Sequence, residues 1–320
     1  MDADIIAKHK HQARMLANRT RKKYRHLRKR FSRENIDVFR LYDWDIPEIR
    51  AVVDWYAGHL VIGEYTRKQS TPNWLPMMGE AVGQALDVPA EKIHLKERRY
   101  GVSEGQRYQR IDHTDRFITV NERDVRFYVN PWDYVDTGLF SDHRDTRQMV
   151  RGLAKGKTLL NLFCYTGAFT LSAARGGARS TVSVDRSQTA ISWARRNMEL
   201  NGLSSPNHRF FQTHAIDYLS EAKVDGQLFD LAVVDPPSFY VIRNRQEHFD
   251  VARDHPALLT AVVGVMRKGG TIFFSTNHQY FIPFLDELAV GGIEEITSQT
   301  IPEDYRQMRK KIHRCWKITV

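Results

Sequence analysis

The feature that most constrains this fold is an alternation that begins near residue 141. Short apolar, strand-like runs recur there: TLLNLF (158–163), STVSVD (180–185), HRFFQTHA (208–215), FDLAVVD (229–235), TIFFSTN (271–277), EEITSQT (294–300) and HRCWKITV (313–320). Most of the gaps carry helix-like sequence: AFTLSAARGG, QTAISWARRNMELNG, IDYLSEAK, PALLTAVVGVMRK and YFIPFLDELAV. Strands alternating with helices build βαβ units and a parallel sheet. The spacing before the last run predicts a long antiparallel return for the seventh strand.

The chain before this region reads differently. Residues 37–132 suggest a small α+β unit. DVFRLYDWD reads as a strand and IRAVVDWYAGHLVIGEYTR as a hairpin turning at Ala57-Gly58. WLPMMGEAVGQALDV (74–88) reads as a helix stopped by Pro89. KIHLKERR and RYQRID flank a glycine-containing loop at 99–106, and RFITVNERDVRFYVN reads as a further hairpin. The expected fold is therefore α/β: a Rossmann-like sheet of seven strands, mostly parallel, in residues 133–320. A smaller α+β domain covers 35–132, and a basic helical arm covers 1–34.

Charge singles out that arm. Residues 1–33 hold 12 Lys or Arg against 2 Asp, a net of +10, which is the net charge of the whole chain. Leu16, Tyr24, Leu27 and Phe31 fall near helical spacing among the basic residues. A concentrated basic helix is the footprint of a polyanion partner. Arg19, Arg21, Lys22, Lys23, Arg25, Arg28, Lys29 and Arg30 are the candidate RNA phosphate contacts, with a solvated helix packed by its apolar stripe as the plain alternative. Two cysteines, Cys164 and Cys315, give no disulfide framework or zinc spacing. No apolar run reaches the roughly 20 residues of a membrane span. No secretory leader is visible, so a cytoplasmic setting is expected. The histidines show no paired ligand spacing, so no metal is expected.

Two turns carry the chemistry. The first strand of the alternating region ends in NLFCYTGAFT, with Gly167 at the strand-to-helix turn and Asp185 eighteen residues later at the end of the next strand. Ligands of open α/β sheets bind beyond the carboxyl ends of strands, near the switch point. The loop lacks the glycines that bring several N–H groups to a pyrophosphate. It therefore disfavours a dinucleotide and suits S-adenosylmethionine. The second turn, Asp235-Pro236-Pro237-Ser238-Phe239, stops a core strand on an acid and two prolines. Asp235 and the Pro236 carbonyl offer acceptors to a nucleobase. Phe239 offers a stacking face, with ordinary packing as its alternative.

NLFCYTGAFT, VSVDRSQTAISWARRNMELNG and DPPSF resemble the class I methyltransferases that act on ribosomal RNA. Through NRTRKKYRHLRKR, LYDWDIPE, YVDTGLFSDHR, FDVARDH and KKIHRCWKITV the chain is more closely similar to the K half of the bifunctional RlmKL family, the 23S rRNA guanine-N7 methyltransferases. The resemblance covers nearly all of the chain after residue 15. It implies that Phe163, Tyr165, Thr166 and Gly167 lie under the methionine and ribose of the cofactor. It also implies that Asp185 holds the ribose hydroxyls, that Arg186 flanks the adenine, and that Asp235 and Pro236 face the methyl. The stretch Phe140-Ser141-Asp142-His143-Arg144 would approach the cofactor from outside the sheet, giving Phe140, Asp142 and Arg144 as contacts. The third strand of such proteins often ends in an acid at the adenine amine. His214 stands there instead, with Asp217 three residues on, and the choice between them stays open.

The expected reaction is methyl transfer to guanine N7, whose in-plane lone pair attacks directly without a covalent enzyme intermediate. An exocyclic amine such as guanine N2 is the alternative, and the acceptor-rich turn suits it. Pyrimidine C5 transfer needs a cysteine nucleophile. Ser275, Thr276 and Asn277 stand where related C5 enzymes place it. Arg253 and His255 are further RNA candidates, against a capping role for Asp254 with Pro256 in the first turn. A non-catalytic RNA-binding assembly factor with a degenerate fold is the alternative outside enzymes, hinted at by His214 alone. The expected partner is 23S rRNA or a large-subunit assembly intermediate.

Overall fold

The computed structural model describes residues 3–66, 70–99, 110–242, 247–306 and 311–320. The chain divides into two compact units, with the boundary between Thr137 and Gly138.

The first unit opens with helix α1 (Ala3–Arg33). Strands β1 (Val38–Asp43), β2 (Ala51–Tyr56) and β3 (His59–Thr66) follow, then helix α2 (Trp74–Leu86) and β4 (Ile93–Arg99). The sheet order is β1-β2-β3-β4, with β3 and β4 parallel and the hairpin turning at Ala57-Gly58 as read. A separate hairpin pairs β5 (Ile118–Glu122) with β6 (Val125–Val129). Residues 100–109, which take in nearly all of the loop at 99–106 and the first half of RYQRID, lie outside the described residues.

Helix α1 is basic as expected, and its apolar stripe is packed. It buries Ala13, Leu16, Leu27 and Phe31 in the core that also holds Phe39, Val53 and Met78. Thr20 stays satisfied mid-helix by donating to the carbonyls of Leu16 and Ala17. Gln12 accepts the indole N–H of Trp74 at 2.8 Å. Full burial of one large apolar side chain is worth roughly 1.5–3 kcal/mol. Three such residues, Leu16, Leu27 and Phe31, make the helix part of this unit's structure.

The second unit holds helix α3 (Arg144–Leu153), then β7 (Thr158–Leu162), α4 (Ala168–Arg175), β8 (Ser180–Asp185), α5 (Gln188–Leu200), β9 (His208–Gln212), α6 (Ala215–Val224) and β10 (Phe229–Val234). A small hairpin, β11 (Phe239–Ile242) with β12 (Glu247–Asp250), precedes α7 (Val251–Val263). Last come β13 (Met266–Thr276), β14 (Gly292–Glu295), the short α8 (Thr297–Thr300) and β15 (Arg314–Thr319). The seven-stranded order is β14-β15-β13-β10-β7-β8-β9. The five central and β8-side strands run parallel, and β15 returns antiparallel between β13 and β14 as expected. The continuous apolar run of β10 has a direct cause. Ala232 and Val234 enter the core on one face of the sheet, while Leu231 and Val233 enter the core on the other. A strand covered on both sides has no polar face to alternate with.

Four local readings change. YFIPFLDELAV forms no helix; Phe281 and Leu285 anchor it to the core, and Pro283 denies a helix its backbone donor. EEITSQT is strand only to Glu295, because the Thr297 hydroxyl accepts the Cys315 N–H and turns the chain into α8. HRFFQTHA ends at Gln212, since His214 is already the first flanking residue of α6. Helix α7 begins at Val251, capped by Asp250 rather than Asp254. The Asp250 carboxylate accepts the Ala252 N–H at 2.9 Å, and Asp254 accepts the Asp250 N–H at 2.8 Å. Pro256 consequently lies inside the helix. No described helix is long and apolar enough to cross a membrane.

Candidate active site

The carboxyl ends of β7 and β10 lie side by side where the strand order reverses, and the two predicted turns leave from them. The β7 turn holds three consecutive alternate residues at positive φ: Phe163 (54°), Tyr165 (49°) and Gly167 (78°). Two of these carry side chains, and each such residue costs roughly 1–2 kcal/mol. The β8 end holds the loop in that shape. The Val184 carbonyl accepts the Cys164 N–H at 3.0 Å, and the Asp185 carboxylate accepts the Tyr165 N–H at 2.9 Å. The other oxygen of Asp185 accepts the Ser187 N–H at 2.8 Å. Burial raises the Asp185 pKa from the usual carboxylate value, and those two backbone N–H groups pull the other way. The carboxylate is thus fixed in direction at the end of β8, next to the loop.

Gly167 is needed for a reason other than cofactor approach. A Cβ there would stand 2.9 Å from the Cβ of Ala194 on α5, and φ is left-handed besides. Thr166 is buried: its hydroxyl donates to the Gly138 carbonyl at 2.6 Å, and its own carbonyl accepts from Asn197. Phe140, 40% exposed, lies 5.3 Å from the Tyr165 ring.

Just beyond the end of β8 the structure gathers residues that sequence periodicity leaves unconnected. The Arg186 guanidinium lies 4.7 Å over the Tyr240 ring and donates to the Val241 carbonyl. The His214 ring stacks on Tyr240 as well, with ring centroids 6.2 Å apart. Tyr240 arrives on the β11–β12 hairpin, which no sequence signal announced.

The β10 turn presents Asp235, half-buried, with Pro236 buried behind it. The Ser275 hydroxyl, at the end of β13, donates to Asp235 Oδ1 at 2.6 Å. His143 Nε2 lies 3.5 Å from Asp235 Oδ2. Ser238 donates to Asn277 Oδ1 at 2.7 Å, tying the turn to the next strand. Phe239 is half-buried and packs 5.4 Å from the His248 ring, in the first position of β11.

In the 140–144 stretch two of the candidate contacts, Asp142 and Arg144, have partners within the fold. Arg144 is 2% exposed and forms a buried ion pair with Asp304, so its charge is spent inside the fold rather than on a cofactor. The Asp142 carboxylate faces His313 Nδ1 at 3.1 Å. Asp142, His143 and His313 place donor atoms within 4.8 Å of one another, a grouping a metal ion sometimes uses. Here the rings of His143 and His313 are stacked, 4.3 Å apart and 9° from parallel. Imidazole lone pairs lie in the ring plane, so lone pairs in two parallel planes do not converge on one ion. As arranged, the pair is a stack and not a chelate.

Neither cysteine is a nucleophile in waiting. Cys164 and Cys315 are buried, and burial pushes both thiols up from their ordinary pKa. Among the remaining candidates, His255 is also fully buried. Its Nδ1 faces the Val251 carbonyl at 2.7 Å, and its Nε2 accepts the Phe284 N–H at 2.9 Å, so it braces the 280–285 segment from within. Arg253 is exposed and bonded to Asp254 and to the His248 carbonyl. On α1, Arg19 pairs with Asp45, Arg30 with Glu34, and Arg21 donates to the Ala85 carbonyl. Arg25, Arg28, Lys29 and Arg33 are exposed and line one shallow recess.

A family model described as S-adenosylmethionine-dependent methyltransferase matches residues 44–292. The chain belongs to the S-adenosylmethionine-dependent methyltransferases. It is an enzyme family, and S-adenosylmethionine is its cofactor. Relatives named ribosomal RNA large subunit methyltransferase K/L include one from Aeromonas hydrophila, 41% identical over 99% of this chain and 44% of its own length. Another, from Allochromatium vinosum, is 40% identical over 96% of this chain and 42% of its own. The chain therefore spans less than half the length of these relatives. A solved methyltransferase complexed with S-adenosylhomocysteine superposes with a TM-score of 0.76 at 22% identity, over 97% of this chain and 82% of that one. A protein from Streptococcus mutans described as SAM-dependent gives 0.75 at 21%, over 97% and 81%. These two likenesses show the same fold.

The residues present fit the cofactor. A directed, buried carboxylate at the end of β8 suits the ribose diol, and the 163–167 loop with Phe140 offers an apolar wall with backbone groups. The cofactor supplies an electrophilic sulfonium methyl; the chain supplies alignment and a dry approach.

Proposed function

We propose that the chain transfers the methyl of S-adenosylmethionine to a guanine of 23S ribosomal RNA, at N7, as a K-type enzyme. The observation that carries the site assignment is the Asp235-Pro236 turn standing at the switch point beside the 163–167 loop. Asp185 would hold the ribose, Arg186 and His214 would border the adenine, and Asp235 would orient the base. Phe163, Tyr165, Thr166 and Gly167 would frame the methionine side. Phe239 would border the entering base. N7 attacks as a lone pair, so no general base or covalent intermediate is required. The names of the relatives and the sequence resemblance support the rRNA substrate and the choice of N7.

One observation favours guanine N2 as the second reading. Ser275 donates to one oxygen of the partly exposed Asp235 and His143 lies near the other, and each oxygen keeps a further lone pair that only a donor can meet. The N7 edge of guanine presents only the acceptors N7 and O6, whereas the exocyclic amine is a donor. Mass spectrometry of nucleosides from unmodified 23S rRNA, after incubation with protein and cofactor, separates the readings. New 7-methylguanosine is the expected product. N2-methylguanosine would leave the site standing and overturn the choice of atom. No product on rRNA or on ribosomal precursors would overturn the substrate.

RNA would meet the exposed basic face of α1, with Lys22, Lys23, Arg25, Arg28 and Lys29 at its centre, and Arg253 at the second unit. Because α1 is part of a core, deletion of residues 1–33 tests folding rather than binding. Changing Arg25, Arg28, Lys29 and Arg33 together to glutamine is the cleaner test. Each lost phosphate contact flattens the log K against log salt slope by about 0.7–0.9. The quadruple change is expected to flatten it by up to about 3.6, read by filter binding across a salt series. An unchanged slope and affinity would remove α1 from the RNA interface.

A further inference from the structure

His143 is the buried histidine that the chemistry above leaves without a task. It lies in the single helical turn Ser141–His143 ahead of α3, 5% exposed. One face of its ring is clamped by His313, which is itself fixed by Asp142 at Nδ1 and by Thr300 at Nε2, both at 3.1 Å. The Phe169 ring meets it edge-on at 5.6 Å. Its Nε2 lies 3.5 Å from Asp235 Oδ2 and 3.8 Å from Asp142 Oδ2, while Ser275 holds Asp235 Oδ1. Its Nδ1 is buried with no hydrogen-bond partner among the described residues.

We propose that His143 is a positioning residue for Asp235, holding the carboxylate from the side opposite Ser275 so that it meets the target base in one orientation. This rests on the reading of Asp235 as the base-orienting group. A carboxylate only accepts, so the proton of the neutral ring belongs on Nε2, and Nδ1 carries the bare lone pair. Burial lowers the pKa of His143, with His313 and Arg147 acting in the same direction and Asp235 and Asp142 opposing. The ring therefore stays neutral through physiological pH and remains a single donor toward Asp235.

The orphaned Nδ1 separates this role from a structural one. A buried acceptor without a partner costs stability, and phenylalanine would fill the same space, keep the stack on His313 and remove that cost. A purely structural histidine would thus tolerate His143→Phe. Under the proposal, His143→Phe keeps or raises Tm and keeps the KM for S-adenosylmethionine. It lowers kcat on unmodified 23S rRNA roughly 10- to 100-fold, as expected for a displaced orienting group. His143→Gln, whose amide donates from near the Nε2 position, is expected to recover part of that loss. Combined with Asp235→Asn, His143→Phe should add almost nothing, because both act on one contact.

Full kcat in His143→Phe, with Asp235→Asn impaired, would overturn the proposal and leave the reading of Asp235 intact. Independent, multiplying effects of the two changes would also overturn it. Full activity in Asp235→Asn would instead overturn the reading on which it rests. A readout without turnover is the crystal structure of His143→Phe. Asp235 is expected to spread over more than one rotamer there, and a single unchanged rotamer would overturn the proposal whatever the substrate is.

Discussion

Asp235→Ala is expected to lower kcat by roughly 10²–10³-fold, the scale of losing one preorganised polar group at a reacting centre. The fold should survive the change. The Asp235 side chain is 30% exposed, and the β10 strand behind it is held by Leu231, Ala232, Val233 and Val234, which are buried on both faces of the sheet. Affinity for S-adenosylmethionine should change little, since Asp185 and the 163–167 loop are set by other contacts. Affinity for RNA should also hold, because phosphate contacts dominate it and Asp235 is an acid. Single-turnover transfer of labelled methyl, with calorimetry for the cofactor, checks all three. Transfer within about tenfold of the unchanged protein would mean that Asp235 does not orient the base.

The largest stability effect is expected at Asp304. Its side chain is 0% exposed and pairs with Arg144, whose side chain is 2% exposed. Asp304→Ala leaves a guanidinium buried without its counter-charge, which costs about 3–5 kcal/mol. At roughly 2–4 °C per kcal/mol for a unit of this size, Tm should fall about 6–20 °C. Activity should fall as well, because the same contact ties the 141–144 turn to the 303–305 turn, together with the hydrogen bond of 2.6 Å between Ser141 and the Tyr305 hydroxyl. Removing both charges, as Arg144→Met with Asp304→Leu, should restore most of the stability, since two apolar groups leave no orphan. A small Tm change in Asp304→Ala would show that water or another acid reaches Arg144.

Sequence pattern made much of this molecule legible. The βαβ alternation, the hairpin at Ala57-Gly58 and the antiparallel last strand all follow from apolar spacing and turn residues. Asp185 and Asp235 were legible because each stops an apolar run abruptly. The failures share a different character. YFIPFLDELAV has helical spacing, yet Pro283 and the anchoring of Phe281 and Leu285 prevail over it. Arg144 reads as a cationic contact because sequence cannot show that Asp304, 160 residues on, neutralises it. Gly167 reads as a cofactor glycine, but the approach of Ala194 already demands it.

The sequence by itself determined the fold class and the position of Asp185 and Asp235 at the ends of their strands, beside the switch point where the candidate site is proposed, because those rest on local periodicity and on which residues end a strand. Only the tertiary structure decided what surrounds Asp235. Ser275, His143 and His313 come from three separate segments, and no spacing along the chain relates them. Their meeting is set by strand order, which places the end of β13 beside that of β10 and returns β15 antiparallel next to it. The same long-range packing made the basic helix a structural member of the first unit. Its apolar stripe found a core to join, and burial of Leu16, Leu27 and Phe31 outweighed what its charge alone suggested.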